Sequence, residues 1–521
     1  VAESRFTETR EQAGQPLPFA GRSDSKSRTN YGRGHFSAVF DPTPKHTAGF
    51  DIEYTERSTH MPTLSRTTLG QTQSDSRYRQ HMDGNTLTAT ANYIWKIDTL
   101  GSQFKLIADY TRYTSDGDNS YHTTTCAPGT LRDSLYESAT GSVYDILTAD
   151  AGLTRKLPHG LTLRAGLRYT RNDMADKSRY AAQTQGTWLA LPEYSYDQHY
   201  TEQIGAAYAS LEYSAGRWEL SAGLRGEYTS VASQAFGRSY FGLFPNVSVS
   251  RALNALRTWL LVAQWSRNIE RPAFPALNPA RIRISDYSWQ SGNPSLRPTY
   301  IHRFSLTAVW KYRYTLTVGG NLHHDLIREI AHRDATAPDA VYIRPENHYT
   351  ENHWFVAASV PAKITRWWNL SVNAVGVMQR IRLNSTDSPA THYLMFADAT
   401  CSFTLPAGFF AEAVYRAQSR LYSGNSEVGP RHTLSATVKK QLFGKRLTLF
   451  CTLSNITGCD WEFASLTDGM RRTIDTGQAW SGRLWKVGAA WNFRTGKKFR
   501  ARTVESAAET QRKRLVKSTE Q

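Results

Sequence analysis

The stretch Trp218–Tyr228 reads WELSAGLRGEY and alternates between apolar and polar residues. Its apolar positions are Trp218, Leu220, Ala222, Leu224 and Tyr228, and its polar ones include Glu219, Ser221, Arg225 and Glu227. Successive side chains of a strand point to opposite faces, so this stretch presents one apolar and one polar face. The same period of two recurs in Leu161–Thr170, Phe304–Tyr312, Tyr314–Leu322, Leu447–Leu453 and Trp485–Phe493, and it predicts β-strands along the whole chain.

Strand length and aromatic residues separate a membrane barrel from a soluble sandwich, which would alternate in the same way. The strands span about 11 to 15 residues, more than the roughly five or six residues typical of globular sheets. This length is enough for a tilted strand to cross a bilayer. Aromatic residues such as Tyr169, Trp218, Tyr228, Trp310 and Trp485 fall near the strand ends. Rings of this kind settle at the lipid headgroups, so the pattern favours a transmembrane antiparallel β-barrel.

Short and long connections also alternate along the chain. Short turns, for example Ser214–Arg217 and Lys311–Tyr314, alternate with long polar stretches, for example Thr114–Gly141. Outer-membrane barrels have short periplasmic turns and long extracellular loops, and a soluble sandwich has no reason to sort its loops this way. Two tight hairpins, near Asp325–Ile327 and Glu346–Glu351, are predicted to take extracellular positions as well.

Counting strands between Gly32 and Phe493 gives about 21, and the first and last of them run toward the periplasm. A barrel with both ends in the periplasm needs an even number, so we expect one more ascending strand, within Val1–Glu11 or upstream, and about 22 in total. The predicted organisation is an N-terminal segment at 1–31 with the remnant of the first strand and loop, a barrel at 32–494, and a charged, disordered periplasmic tail at 495–521.

The chain is strongly basic, with a formal net charge of +17 and 62 Lys and Arg among 521 residues. These residues are spread over nearly every strand and loop and cluster only in the tail. A scattered excess argues against nucleic-acid binding and fits a polar lumen or anionic lipid headgroups. No apolar run approaches the roughly 18 residues that a membrane-spanning helix needs.

Two proline-rich segments stand out from the alternating pattern. Arg267–Pro279 reads RNIERPAFPALNP, and Gly292–Tyr300 reads GNPSLRPTY. Prolines cannot donate ladder hydrogen bonds, so this region is predicted to be a rigid loop rather than a central strand. Arg267 and Arg271 would be carried on that loop, within reach of carboxylates in the lumen or on a plug.

These segments resemble the R-x-x-R-P-x-x-x-x-L-N-P and G-N-P-x-L-x-P signature of TonB-dependent receptor barrels, most closely the outer-membrane β-barrel family common in Bacteroidota-type bacteria. Ala222–Thr229 is similar to the G-L-R-x-E-x-T strand of the same family, whereas Thr299 stands where the family usually has Glu. The matching residues, expected to be structural with plug or ligand contact as the alternative, are Arg267, Arg271, Pro272, Leu277, Asn278, Pro279, Gly292, Asn293, Pro294, Leu296 and Pro298.

The resemblance implies a location in the bacterial outer membrane and uptake of a scarce nutrient of the siderophore, cobalamin, glycan or peptide class. The family's plug domain and TonB-contacting box have no counterpart in this sequence, which opens Val1-Ala2-Glu3 and is interpreted as processed or truncated. The expected partners are therefore outer-membrane lipid, a plug domain missing from this chain, the TonB complex only through that plug, and a surface lipoprotein, with no nucleic acid.

Enzymatic motifs are missing from the sequence: it contains no G-x-S-x-G, no H-E-x-x-H and no P-loop, so we predict neither catalysis nor a cofactor. Weak metal candidates are His323, His324, His332, His348 and His353, although ordinary lumen or loop histidines are the favoured interpretation. Substrate-binding residues are not assigned. Two alternative functions stay open, a plugless surface-binding or adhesion barrel and a soluble all-β carbohydrate-binding protein.

Overall fold

A computed structural model describes residues 2–12, 14–234, 236–285, 287–334, 339–459, 461–476, 482–493 and 504–515. Within these residues, 27 strands form one sheet, antiparallel except for a short parallel pairing at residues 288–290, which confirms the predicted all-β class. The strands are β1 (Ala2–Gln12), β2 (Gln15–Thr43), β3 (His46–Leu69), β4 (Thr72–Lys96), β5 (Gln103–Ala127), β6 (Thr130–Lys156), β7 (Leu161–Thr184), β8 (Thr187–Ala190), β9 (Tyr196–Ala215), β10 (Trp218–Ser233), β11 (Gly237–Ala252), β12 (Trp259–Glu270), β13 (Ile282–Ser285), β14 (Ser288–Gln290), β15 (Thr299–Trp310), β16 (Tyr314–Arg333), β17 (Val341–Lys363), β18 (Trp368–Arg382), β19 (Ala390–Leu405), β20 (Phe409–Gln418), β21 (Leu421–Ser423), β22 (Ser426–Val428), β23 (Arg431–Leu442), β24 (Leu447–Ser454), β25 (Trp461–Thr467), β26 (Met470–Thr476) and β27 (Leu484–Trp491).

The two faces of the sheet differ in polarity as the alternation predicts. On β10, Leu220, Leu224 and Tyr228 are exposed on the outer surface, whereas Glu227 and Thr229 are buried on the inner one. Trp259 and Trp310 stack with ring centroids 5.7 Å apart where β12 and β15 reach the short-turn end. The result is an apolar outer band around a polar interior. None of the helices in the described residues is long and apolar enough to cross a bilayer.

The predicted short turns are present at one end of the sheet. Ala215 pairs with Trp218, which leaves a two-residue turn of Gly216 and Arg217. The φ of Gly216 is +57°, a left-handed conformation that glycine adopts without the steric penalty of a side chain. Tight turns of this kind hold neighbouring strands in register.

The long polar stretches at the other end are strands rather than loops, which corrects the prediction. Residues 114–141 continue β5 and β6, which stay paired until Ala127 faces Thr130. Cross-strand hydrogen bonds between short polar side chains stabilise this extension, for example Thr124 Oγ1 to Asp133 Oδ1 at 2.6 Å. Threonine favours strands, and beyond a bilayer both faces tolerate polar residues.

The two predicted tight hairpins near Asp325–Ile327 and Glu346–Glu351 are wrong. Leu326 pairs with His348 inside the continuous strands β16 and β17. Asp325 has a φ of +57°, which an aspartate tolerates without ending the strand. Seven of the described strands (β8, β13, β14, β21, β22, β25 and β26) are short and belong to the outer hairpins, and the remaining 20 follow one another, against about 22 predicted.

The first strand lies where an ascending strand was predicted. β1 pairs with β2 from Ala2 opposite Ser27 to Gln12 opposite Gln15, and its other edge pairs with β26. Because β2 runs unbroken through the predicted boundary after residue 31, that boundary is wrong. Within the described part of the chain, β1 joins β2 to β26 and closes the ring only at the end of the barrel where the long hairpins lie. Toward the other end of β2, Phe36 and Phe40 are exposed.

The prediction of a disordered periplasmic tail is wrong for residues 504–515. These residues lie inside the barrel and contain helix α2 (Glu509–Arg512); helix α1 (Phe274–Leu277) lies earlier in the chain. Ala508 is fully buried, and two charged residues of the segment pair with the barrel wall, Glu505 with Lys105 and Arg514 with Glu202. The rest of the predicted tail, 495–503 and 516–521, lies outside the described residues.

Candidate functional site

The proline-rich loop between β12 and β15 folds into the barrel and forms a small apolar core there. Phe274 and Leu277 of α1 are buried, and Leu296 is fully buried. The side chains packed with them come from the barrel wall: Tyr144, Ile146, Met174, Tyr200 and Val231. The loop is thus anchored in a lumen that is otherwise polar.

The two halves of the sequence motif meet at Gly292. Its N–H donates to the Asn278 carbonyl oxygen at 2.9 Å, and the N–H of Asn293 donates to the Ala276 carbonyl oxygen at 2.7 Å. A Cβ on Gly292 would overlap the Asn278 carbonyl oxygen and lie 2.7 Å from that of Ala276. This close backbone approach explains why glycine occupies the position.

The side chains of the two motif asparagines bond backbone groups of the loop and of a neighbouring strand, in a region where the prolines prevent regular strand pairing. Asn278 Oδ1 accepts the N–H of Ala280 at 2.9 Å. Asn293 Oδ1 accepts the N–H of Ser295 at 3.0 Å, and Asn293 Nδ2 donates to the Pro345 carbonyl oxygen at 3.0 Å. The loop is therefore rigid and tied to the neighbouring strand β17.

The remaining motif positions also lie in this loop. Leu296 offers its carbonyl oxygen to Arg238 Nη2 at 2.6 Å, and Pro298 is buried beside Thr299. Thr299, the departure from the family pattern, donates through Oγ1 to the Asp325 carbonyl oxygen at 3.0 Å. Pro279 and Pro294 are half-buried.

Arg271 lies at the centre of a buried ion cluster. Its Nη2 is 2.7 Å from Glu227 Oε2 and 2.9 Å from Thr229 Oγ1, and its Nε is 3.8 Å from Glu202 Oε1. Burial disfavours its charged form, but Glu202 and Glu227 more than compensate and raise the pKa of the guanidinium above its usual value. Arg267 instead donates to the Leu243 carbonyl oxygen at 3.1 Å and lies 5.2 Å from the Tyr300 ring centroid.

A cavity of about 260 Å³ opens beside the motif loop. Its wall includes Arg271, Pro272, Pro275 and Gly292 from the loop. The strands opposite contribute residues of both charge signs, Arg328 and Glu329. A small polar ligand in this cavity would touch the rigid loop directly.

The five histidines are divided among three acidic residues, Glu351, Glu346 and Asp325. His353 Nε2 is 2.8 Å from Glu351 Oε1, and His323 Nδ1 bonds the Glu351 carbonyl oxygen at 2.7 Å. His348 is buried 3.6 Å from Glu351 Oε2. His332 bonds Glu346 at 3.0 Å, and His324 lies 3.2 Å from Asp325. Across the described ranges, no group of three His, Cys, Asp or Glu side chains is arranged to hold a metal ion.

Several residues of this site were not predicted from sequence. Glu227 lies in the alternating stretch Trp218–Tyr228, where the odd-numbered positions form the polar face. Glu202 precedes a similar stretch in β9, so the same alternation could have placed it inside. Arg514 carries no local signal, because its partners on the motif loop and the barrel wall, Pro272 and Glu202, lie 242 and 312 residues away in the chain.

A ring of antiparallel strands that is apolar outside, polar inside and partly filled by a rigid loop defines an outer-membrane β-barrel. Residues 95–488 match the outer membrane protein beta-barrel family, and the chain belongs to that family. Its location is therefore the bacterial outer membrane, as predicted, and the soluble carbohydrate-binding alternative is wrong.

Two solved structures are similar to this chain at low sequence identity. The ferric-catecholate import receptor Fiu from E. coli K12 is 9% identical, with a TM-score of 0.52 over 91% of this chain and 81% of that chain. The siderophore receptor PirA from Pseudomonas aeruginosa is 12% identical, with a TM-score of 0.44 over 91% and 79%. No curated protein matches in sequence. The predicted resemblance to TonB-dependent receptor barrels is confirmed for the fold.

Proposed function

We propose that this chain is the wall of an outer-membrane transporter that takes up a scarce nutrient of the siderophore, cobalamin, glycan or peptide class. The observation that carries the proposal is the rigid motif loop inside the lumen, with a cavity beside Arg271 and Gly292. A ligand bound there would already be inside the barrel wall. The similarity in fold to an import receptor for ferric catecholates makes iron complexes the first class to test.

The proposed partners follow from the same function. Outer-membrane lipid surrounds the apolar band, and energy from the TonB complex reaches this barrel only through a plug domain. A surface lipoprotein at the extracellular mouth is a further proposed partner. We propose no catalytic step and no cofactor for this chain.

The test is growth of a deletion strain on limiting amounts of each nutrient class, with complementation by the wild-type gene or by Arg271→Ala. We expect the deletion to abolish growth on one class, and the variant to restore it poorly because Glu202 and Glu227 lose their shared partner. Arg267→Ala is the matched control, since this motif arginine forms no ion pair among the described residues and instead donates to a backbone carbonyl and lies over the Tyr300 ring. Equal growth of deletion and wild-type strains on all classes would rule out uptake.

A surface-binding or adhesion barrel is the second candidate, and one observation favours it. The strands β3, β4, β5 and β6 extend to 24 to 27 residues, far more than a bilayer requires, and project a broad polar surface. The same deletion strain separates the two functions. Loss of attachment to surfaces with unchanged growth would support adhesion.

A further inference from the structure

Two histidines of the long strands face each other on the surface of the barrel. His60 on β3 stands directly opposite His81 on β4 in the register of the two strands, and the ring centroids are 6.2 Å apart. His60 is exposed, and the side chain of His81 is 44% exposed. Opposite residues of an antiparallel pair have Cβ atoms only about 5 Å apart, so the backbone itself holds the two imidazoles side by side.

This pair lies outside the membrane, on the outer face of β3 and β4. The outer side chains of β4 are apolar from Trp95 to Leu87 and polar from Asn85 onward. His81 lies beyond Leu87 by roughly 20 Å along the strand. Solutes of the external medium therefore reach the two histidines without entering the lumen.

Carboxylates flank His81 on two sides. Its Nε2 lies 3.2 Å from Asp83 Oδ2, and Asp118 stands opposite it on β5. A carboxylate oxygen accepts hydrogen bonds, so Nε2 of His81 is the donor and Nδ1 keeps its lone pair. A hydrogen bond of this kind orients the imidazoles that bind metal ions and makes them stronger ligands.

The separation of the two rings fits one metal ion between them. A nitrogen–metal distance of about 2.1 Å places a ring centroid about 3.2 Å from the ion, so two rings on one ion have centroids about 5 to 6.4 Å apart. The 6.2 Å between His60 and His81 lies in this range. The rings of His323 and His353 are also close, at 5.2 Å, but a nitrogen of each is bonded to Glu351.

We propose that His60 and His81 chelate a divalent late transition-metal ion, and that Asp83 is the positioning residue that orients His81. Among these ions, Cu²⁺ binds imidazole more tightly than Zn²⁺. Two imidazoles supply the chelate, and water completes the coordination in a cavity of about 520 Å³ that both histidines line. The site is on the outside of the barrel, so it does not depend on the transport of any nutrient.

The test is titration of the purified, tag-free chain with Cu²⁺, read by calorimetry and by electron paramagnetic resonance, after the free cysteines have been alkylated. Two linked ligands gain about a hundredfold or more in affinity over one through their effective concentration. His60→Gln and His81→Gln should each weaken the tightest Cu²⁺ site by about that factor. Each should also remove the resonance spectrum of two equatorial nitrogen ligands.

His122→Gln is the matched control for these variants. His122 is an exposed histidine on β5 that also lies beside a carboxylate, with 3.5 Å between its Nε2 and Asp133 Oδ1. The residues opposite it are Arg77 and Leu135 rather than a second histidine. We expect this variant to bind Cu²⁺ as the wild type does, and heat-dependent gel migration verifies that each barrel is folded.

Asp83→Asn tests the positioning role separately. It should keep the two-nitrogen spectrum but weaken Cu²⁺ binding about tenfold, the usual cost of altering the hydrogen-bond partner of a metal-binding histidine. Equal affinities for wild type, His60→Gln and His122→Gln would overturn the proposal, as would a wild-type spectrum with a single nitrogen ligand. Failure of nutrient uptake would leave the Cu²⁺ titration unchanged, so the metal site and the transport function are tested independently.

Discussion

Arg472 Nη2 donates to Glu8 Oε2 at 2.9 Å, although 464 positions separate the two residues in the chain. Arg10 binds the same carboxylate, with 2.8 Å between Arg10 Nη2 and Glu8 Oε1. Arg472 also donates to Ser288 Oγ at 3.1 Å. This buried cluster joins the first strand, the hairpin of β25 and β26, and the segment around β14. It links the strands β1 and β26, whose pairing closes the ring at the extracellular end.

Glu8→Gln should destabilise the extracellular end of the barrel by about 3 kcal/mol, because two buried arginines lose their shared carboxylate. The denaturant midpoint, read from heat-dependent gel migration, measures the effect. Glu11→Gln on the same strand is the control, since Glu11 is exposed, and we expect it to change the midpoint little. Equal midpoints for the two variants would contradict the role of Glu8.

Acid should weaken the same closure. Burial would raise the pKa of Glu8, but Arg472 and Arg10 together hold it below its usual range. A lowered pKa stabilises the folded state above the unfolded-state value of about 4.3, and this contribution is lost as the pH falls through the folded-state value. Between about pH 5 and pH 3, wild type should therefore lose more stability than Glu8→Gln. Parallel pH profiles of the two proteins would disprove this coupling.

Gly292→Ala should disrupt the motif loop, because its new Cβ meets two backbone carbonyl oxygens that have little freedom to move. We expect a loss of about 2 kcal/mol or more and faster trypsin cleavage of the loop. Gly376→Ala on β18 is the control, since nothing lies within 4 Å of a Cβ there. If Gly292→Ala cleaves as slowly as Gly376→Ala, the close approach of the two motif halves is not needed.

Phe274→Ala should remove the centre of the lumen core and cost about 3 to 5 kcal/mol, the range typical of buried phenylalanines. Thermal unfolding in detergent measures this change. Leu256→Ala, at an exposed position in a short turn, is expected to shift the transition by far less. A shift no larger than that of Leu256→Ala would mean that the loop packs loosely against the wall.

The alternation of residues predicted the faces of the sheet wherever one face meets lipid. Leu224 lies outside and Glu227 inside, as the period of two requires. Outside the bilayer this signal disappears because both faces of the sheet meet water, so the sequence of residues 114–141 predicts a loop although these residues continue β5 and β6. Asp325 gives the opposite error: the sequence predicts a hairpin near Asp325–Ile327, whereas β16 continues through this point with a left-handed conformation at Asp325 alone.

The residues of the site could be predicted only where the residues that interact lie close together in the sequence. Prolines and asparagines between Arg271 and Pro298 indicated a rigid loop, and the structure places that loop in the lumen. The partners of Arg514 were not predictable, because an ion pair with Glu202 spans 312 residues and leaves no periodic trace. The charge of the tail favoured disorder, whereas carboxylates inside the barrel provide the compensation that a solvated tail would lack.

Several strands of the barrel extend far beyond the membrane, and their length affects how a solute reaches the motif loop. β5 has 25 residues, which at about 3.4 Å each and a tilt of about 40° rise roughly 65 Å, against about 30 Å of hydrocarbon. The strands β2 to β7, each of 24 residues or more, therefore form a wall on one side of the mouth that is about as tall as the membrane is thick. A solute that enters along this wall passes its polar surface before it meets the motif loop.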